Sequence, residues 1–275
     1  MINKQLLRKH FSRNAVNYDK YAAVQKKMAH ELVDFIKPKR SKFSKNIRIL
    51  DIGCGTGYLT KQLTDLFPLA HITAVDIAPG MIELARENFK QKNVTFLCGD
   101  IEEMEIGEKY DLIVSNATFQ WFNHLDKTIK KLYGMLNGKG IICFSTFGNQ
   151  TFTELHQSYQ KAKQYLGLDT DILPGQSFYS FDHLYNLCQC ILNSQEFPPF
   201  LITGKECFEY EYFISVKAFL ESVKKVGANN SNQERHDKSL SLLKEMIRIY
   251  DTDFREKNKI KATYHCLFFS IEILN

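Results

Sequence analysis

The chain lacks any apolar stretch near the roughly 18 residues a membrane-spanning helix needs, and it has no low-complexity segment or internal repeat. Its first residues, Met-Ile-Asn-Lys-Gln-Leu-Leu-Arg-Lys-His, contain no apolar signal-peptide core. A soluble cytoplasmic protein is therefore expected. The seven cysteines are an odd number without one C-x-x-C pair, Cys188 and Cys190 being the closest. This argues against a disulfide scaffold and a zinc site, so reduced, mostly buried thiols and no metal are expected. Cys54 reads as a spacer rather than a nucleophile. With 44% hydrophobic residues in 275, the chain suits one large domain, or one domain with a substantial insertion.

Charge is unevenly spread. Residues 1 to 45 carry twelve Lys or Arg against three acids, a balance of +9, and the remainder 24 against 28, a balance of −4. A basic arm beside a slightly acidic body fits nucleic acid, an anionic membrane or an acidic carrier protein, and equally a solvated face with no partner. Charge alone does not choose.

The most informative stretch is Ile47 to Gly57, Ile-Arg-Ile-Leu-Asp-Ile-Gly-Cys-Gly-Thr-Gly. An apolar β-branched run ends in three alternating glycines, and Tyr58 to Phe67 then reads as a helix. Gly53, Gly55 and Gly57 let a ligand approach the backbone, and the first amides of the helix point into the same crevice. Asp76 closes the next apolar run and Asp100 the one after, with Ile101 beside it. An acid one βαβ step after the glycines can grip ribose hydroxyls. A dinucleotide fingerprint would place its third glycine one residue later, and Asp51, just before the turn, would repel a phosphate. A carboxylate there suits a ligand with a cationic amino group. The pattern resembles the class I S-adenosylmethionine-dependent methyltransferases, whose first motif is written D-x-G-x-G-x-G.

The other elements follow from periodicity. Residues 5 to 37 read as two helical pieces with an irregularity at Asn17-Tyr18-Asp19, and Pro38 to Asn46 as a linker. Helix Pro79 to Lys90 starts with proline in its first turn. Tyr110 to Ser115 is a buried strand that delivers Ser-Asn-Ala-Thr-Phe-Gln-Trp, with the chain's single tryptophan, to the ligand side of the sheet. Helix Asp126 to Leu136 ends at Asn137-Gly138, and Gly140 to Thr146 is a further strand. Residues 149 to 195 read as helices joined by Leu173-Pro174-Gly175, without a strand. Cys207 to Phe213, helix Ser215 to Val226, a charged helix over 233 to 250 and strand Lys261 to Ile273 complete the chain. The resemblance implies an α/β class I methyltransferase fold: a Rossmann-like, seven-stranded, mostly parallel sheet with helices on both faces. Its expected parts are an N-terminal helical arm over the cofactor (1–45), a cofactor-binding core (46–148), a helical lid inserted after strand five (149–200), and a segment completing the sheet (201–275).

Further anchors narrow the family. Asn116-Ala-Thr-Phe is not the Asn/Asp-Pro-Pro-Tyr of enzymes that methylate nucleobase amines. Phe11-Ser-Arg-Asn-Ala, Tyr18-Asp-x-Tyr21, Gln25, Ser115-Asn-x-x-x-Gln-Trp121, Thr153-Glu-Leu-His-Gln, Lys225-Val-Gly-Ala and Thr263-Tyr-His occur in an order that resembles the malonyl-[acyl-carrier protein] O-methyltransferases of biotin synthesis. That resemblance implies S-adenosylmethionine as cofactor and S-adenosylhomocysteine as product. It also implies a malonyl thioester on an acidic acyl-carrier protein as partner, with malonyl-CoA an alternative. Neither nucleic acid nor membrane is expected, and a monomer is. Asp51 would hold the amino acid end of the cofactor, Asp76 the ribose, Ile77 and Met81 would flank the adenine, and Asp100 would accept from the adenine amino group with Ile101 stacking nearby. Asn116 would offer a backbone group near the methionyl part, and Gln25 would face the cofactor from the inner side of the arm. Tyr18, Gln120, Trp121 and His124 are the acceptor-site candidates, with Tyr21, Phe178, Tyr179, Arg13 and Lys205 behind them. His265 reads as structural. The rival readings are another small-acid or quinone methyltransferase, a non-catalytic cofactor sensor, and an RNA-binding enzyme.

Overall fold

Five apolar runs, joined by helical segments except between the third and fourth, build the parallel half of one sheet in the computed structural model, which describes residues 1–168, 175–228 and 240–274. β1 (Arg48–Ile52), β2 (His71–Asp76), β3 (Val94–Cys98), β4 (Tyr110–Asn116) and β5 (Leu136–Phe147) run parallel. β6 (Phe200–Phe213) and the two-residue β7 (Arg255–Glu256) both pair antiparallel with β8 (Lys259–Ile273), which also pairs antiparallel with β5. The order is β3-β2-β1-β4-β5-β8-β6, seven strands on the main path with β7 beside it. β1 is buried on both faces after Arg48, as a central parallel strand covered by helices must be. Chain order reverses between β1 and β4, so the ligand crevice opens at their carboxyl ends.

Nine α-helices are described. α1 (Lys4–Tyr21) is capped by the Asn3 side chain and packs on α4 (Pro79–Asn88) and α8 (Val216–Lys225). α2 (Ala23–Ile36) belongs to the core: Val24, Met28, Leu32 and Ile36 are buried in the main apolar cluster with α3 (Tyr58–Leu66) and the sheet. The arm expected over residues 1–45 is thus two structures, a covering helix and a core helix. The break lies at Ala22, not at Asn17 to Asp19. Ala22 is fully buried and leaves helical geometry at ψ 42°, because α2 must turn to lay its apolar stripe on the sheet.

The stretch expected as one lid, 149–200, also divides. α6 (Thr153–Leu166) packs on α9 (Leu240–Asp253) on the cavity side. α7 (Phe181–Leu192) packs on α5 (Leu125–Gly134) and β6, burying Leu184, Cys188 and Leu192 in the second core cluster. Leu173 and Pro174 of the expected joint and residues 233–239 of the expected charged helix lie outside the described residues. Two strands begin earlier than their sequence suggests. β5 starts at Leu136, because Asn137-Gly138 sits in a bulge where the β4 register shifts rather than in a turn before the strand. β6 starts at Phe200 and runs through Gly204, where a Cβ would come within 2.9 Å of the Phe181 ring.

Candidate active site

β1 ends in a turn whose three glycines all have positive φ, Gly53 at 69°, Gly55 at 55° and Gly57 at 88°. Their reasons differ. A Cβ on Gly53 would overlap Thr118 Oγ1, and one on Gly57 would meet the Phe89 ring at 2.6 Å. At Gly55 a Cβ would meet nothing within 4 Å among the described residues, since this glycine borders a cavity. Only Gly53 and Gly55 line that cavity; Gly57 caps α3 in left-handed geometry. The turn is tied to β2, where the Gly53 and Cys54 amides donate to Val75 O at 2.8 and 3.0 Å. The Asp76 carboxylate accepts from the amides of Gly55 (2.9 Å) and Ala78 (2.8 Å). Cys54 is buried beside Ala74, Ile82 and Phe96, and its thiol is raised well above the ordinary range by burial and by Asp76 and Asp51. It is a packing residue.

Asp51 lies beneath the turn, fully buried. Its Oδ2 accepts from Thr60 Oγ1 at 2.6 Å, and its Oδ1 has no partner among the described residues. Burial pushes its carboxyl up to about 7, with Asp76 adding to the rise and Thr60 opposing it. Burial likewise raises Asp76 to about 6 against the pull of its two amides. Two buried acids with raised pKa values therefore stand one behind the other, Asp76 on the cavity and Asp51 beneath the turn with one oxygen unpartnered among the described residues.

The cavity has a volume of about 700 Å³. Ile77, Met81, Gly99, Asp100 and Ile101 extend its acidic wall. Lys4 pairs with Asp100 at 3.1 Å and also with Glu102, and the Ile2 backbone clasps the Asn123 amide at 2.7 and 3.0 Å. The start of α1 is therefore fastened over the Asp100 end. Between α4 and α1 the fit is close: a Cβ on Gly80 would lie 2.7 Å from Ser12 O.

After β4 the backbone is strained at the cavity lining, Ala117 standing at φ 51°. Its neighbours hold it there. Asn116 donates to Gln25 O (3.0 Å) and accepts from Ser145 Oγ (2.7 Å). Gln120 donates to Ala117 O (2.7 Å) and accepts from Thr146 Oγ1 (2.8 Å), while the Gln176 side chain bonds the Gln120 carbonyl. Gln120 thus braces the loop with both ends of its amide. Trp121 meets Phe11 edge-on at 5.7 Å, and Tyr18 stands beside Phe11 at 6.4 Å.

Tyr18, Gln25, Gln120, Trp121, Asn116, Gly53, Gly55, Asp76, Ile77, Met81, Asp100 and Ile101 all line this one cavity, joined by Tyr21 and Phe178. Asp51 and Gly57 stand behind it. His124 does not belong: the chain turns outward after the short helix Phe119–Trp121, leaving His124 exposed at the start of α5 with its amide on Glu102 (2.7 Å). Tyr179 is exposed and stacked on His183, Arg13 is exposed, and Lys205 is paired with Glu31 at 2.7 Å. His265 is buried, bonded to Glu206 at 2.7 Å and stacked on Phe208, a structural arrangement. Sequence reasoning missed the apolar wall of Phe152, Leu155, Phe219, Val223, Leu242 and Met246, which comes from α6 and the residue that precedes it, α8 and α9. Their helical periodicity was visible, but periodicity marks a buried face without saying that it encloses a ligand space.

A family model described as a methyltransferase domain matches residues 43–206. The chain is 52% identical over 268 residues to a malonyl-[acyl-carrier protein] O-methyltransferase of Acetivibrio thermocellus, covering 98% of this chain and 93% of that protein. It is 50% identical over 275 residues to the protein of the same name from Priestia megaterium, with 100% of both covered. Among solved structures, the YcgJ protein from Bacillus subtilis superposes with a TM-score of 0.60 at 12% identity, covering 90% of this chain and 99% of that one. The plantazolicin methyltransferase BpumL, in complex with a triazolic desmethylPZN analog and SAH, gives 0.54 at 16% identity over 99% and 96%. At such identities the two structures speak for the fold alone.

Proposed function

Because the chain belongs to the malonyl-[acyl-carrier protein] O-methyltransferase family, we propose that it methylates the free carboxylate of a malonyl thioester borne by an acyl-carrier protein. S-adenosylmethionine is the methyl donor, and the product is the malonyl methyl ester from which pimeloyl synthesis for biotin starts. The observation that carries this reading is end-to-end identity with enzymes of that name, coinciding with a cavity that is acidic on one wall and apolar on the other. The reading includes a monomer in the cytoplasm. α1, α6, α8 and α9 of one chain all contribute to the cavity lining, and no helix among the described residues is long and apolar enough to cross a membrane.

The cavity residues fit the donor. The unpartnered Asp51 oxygen and the open Gly55 backbone would receive its amino acid end, near Gln25 and Asn116. Asp76 would receive the ribose hydroxyls on its remaining lone pairs, Ile77 and Met81 would flank the adenine, and Asp100 and Ile101 would meet its edge. When bound, the donor supplies an electrophilic methyl group on a sulfonium. The malonyl carboxylate is already ionised at neutral pH, so the chain needs no general base. Its task is to strip water from the carboxylate and align it. The apolar wall does the first. For the second, burial and the charges of Asp76 and Asp19 raise the Tyr18 hydroxyl, which stays protonated and donates toward an anionic oxygen. Trp121 and the loop braced by Gln120 fix the remaining boundary.

The test is mass spectrometry of purified protein with S-adenosylmethionine and malonyl-, acetyl- or no acyl group on carrier protein. A gain of one methyl on the malonyl form alone is expected, and malonyl-CoA as a further acceptor identifies the preferred thiol. Bound donor without methyl gain on any malonyl thioester would refute the assignment.

A pH dependence follows from the raised acids. In the free protein Asp51 and Asp76 hold protons that the unfolded chain releases near pH 4, so free-protein stability falls as pH rises from about 4 to about 7. A cation on Asp51 favours its ionised form, so affinity runs the other way. With Asp51 titrating at about 7, donor affinity should tighten about tenfold between pH 6 and pH 8, with protons released on binding. Calorimetry in buffers of different ionisation enthalpy reads both effects. Asp51→Asn should abolish the slope, and a flat profile in the wild type would remove Asp51 from the donor site.

A further inference from the structure

Half of the twelve cations of the basic arm are engaged within the molecule. Lys4, Lys26, Lys27, Lys37, Lys39 and Lys42 all form ion pairs with acids of this chain. The exposed cations on α1 are different. At 3.6 residues per turn, Lys9, Arg13, Val16 and Lys20 fall within about a sixth of the helix circumference, all exposed, with Val16 at 83%. Arg8 flanks them. The single acid of α1, Asp19, is held by Lys26 at 3.5 Å and Thr56 at 3.1 Å. The opposite face of the same helix presents Leu7, Phe11 and Tyr18 to the cavity.

A second element adds charge at the same place. The end of α8 packs on α1, where a Cβ on Gly227 would come within 3.0 Å of Phe11. Lys224 there borders the cavity and Lys225 is exposed. The concentration of positive charge is felt by His10, whose imidazole is held below its ordinary range by burial, Lys9 and Arg13.

We propose that the outer face of α1, with the end of α8 beside it, is the docking surface for the acidic carrier protein. The proposal rests on the function given above and locates its partner. A thioester tethered to a carrier reaches the cavity only if the carrier sits close to it, and α1 has one face on the cavity and the other in solvent. Cations around one exposed aliphatic side chain match an acidic protein surface that has a small apolar centre. Nucleic acid is less well matched, because α1 exposes no aromatic side chain among those cations for a base to stack on. A bilayer would find only Val16 to bury.

The experiment compares the full chain with a Lys9→Glu/Arg13→Glu/Lys20→Glu variant and with a Lys127→Glu/Lys130→Glu/Lys139→Glu control of the same charge change at exposed sites of α5 and β5. Rates are measured with malonyl-carrier protein and with malonyl-pantetheine, and S-adenosylhomocysteine affinity by calorimetry. KM for malonyl-carrier protein should rise by about tenfold or more in the α1 variant alone. The rate with malonyl-pantetheine and the S-adenosylhomocysteine affinity should stay within about twofold. The wild-type KM should rise with salt and the variant's should not. An unchanged carrier-protein KM in the α1 variant, or an equal rise in the control, overturns the docking surface while leaving the activity standing. If the wild type methylates no malonyl thioester, the functional reading fails on its own. The surface is then judged by fluorescence anisotropy of labelled, unacylated carrier protein. Binding that the α1 variant loses upholds the surface, and absent binding, or stronger binding of RNA or anionic vesicles, overturns it.

Discussion

Asp76→Ala should lower the affinity for S-adenosylhomocysteine by about two to three orders of magnitude. One carboxylate performs two tasks. It accepts the Gly55 and Ala78 amides that shape the end of the glycine turn, and its remaining lone pairs face the cavity, where ribose hydroxyls would donate. A hydrogen bond to a charged group contributes about 1.5–3 kcal/mol, so losing a bidentate ribose contact accounts for the expected loss. Asp76→Asn keeps one acceptor oxygen and gives up the charge, and an intermediate loss is expected. Calorimetric titration of both variants measures this, with thermal melting to separate binding from folding. An alanine variant that binds within about tenfold of wild type would mean that the ribose lies elsewhere.

The second large effect belongs to Gly53→Ala, set against Gly55→Ala. At Gly53 the backbone is left-handed and the added methyl would overlap Thr118 Oγ1. Left-handed geometry costs an L-residue about 1–2 kcal/mol, and the overlap forces the β1–α3 turn away from the strained loop after β4. Stability should fall by about 3 kcal/mol or more, and donor binding should be lost. Gly55→Ala carries only the left-handed cost, since its methyl points into open cavity. It should fold nearly as well as wild type yet bind poorly, because the methyl occupies ligand space. Urea unfolding and calorimetry on the two variants distinguish these patterns. Adding Thr118→Gly to Gly53→Ala should recover part of the lost stability as a coupling between the two sites. No recovery would show that the overlap is relieved elsewhere.

How much of this was visible beforehand depends on whether the signal is local. The glycine turn, Asp51, Asp76 and Asp100 are set by short stretches whose chemistry and backbone demands are written in adjacent residues. Gly53, Gly55, Asp76 and Asp100 meet on one cavity, with Asp51 and Gly57 behind it. His124 was misplaced because it follows Trp121 closely in sequence, while the short helix Phe119–Trp121 before it is set by packing on β5, where Phe119 stacks on Phe144. α7 carries an apolar stripe, Leu184, Cys188 and Leu192, that is as compatible with a lid as with a sheet-covering helix. Which surface receives it is a tertiary decision. The charge of the arm was counted correctly, but Lys39 and Lys42 find Glu272 at the far end of the chain, a pairing no local window contains.

The position of β8 has a consequence for how the molecule is made. It is the last strand in chain order, yet it lies between β5 and β6 and pairs with both. Until Lys259 to Ile273 have emerged from the ribosome, β5 ends the growing sheet as an open edge and the long β6 has nothing to join. Contacts such as Phe147 with Cys266 close very long loops, and such closures slow folding. β8 also delivers Tyr264 to the cavity wall, and its Thr263 bonds Glu154 at the start of α6. Sheet completion and pocket formation are therefore one late event. A nascent chain interrupted before it would present two unpaired strand edges, the kind of surface that chaperones hold and that aggregates grow from.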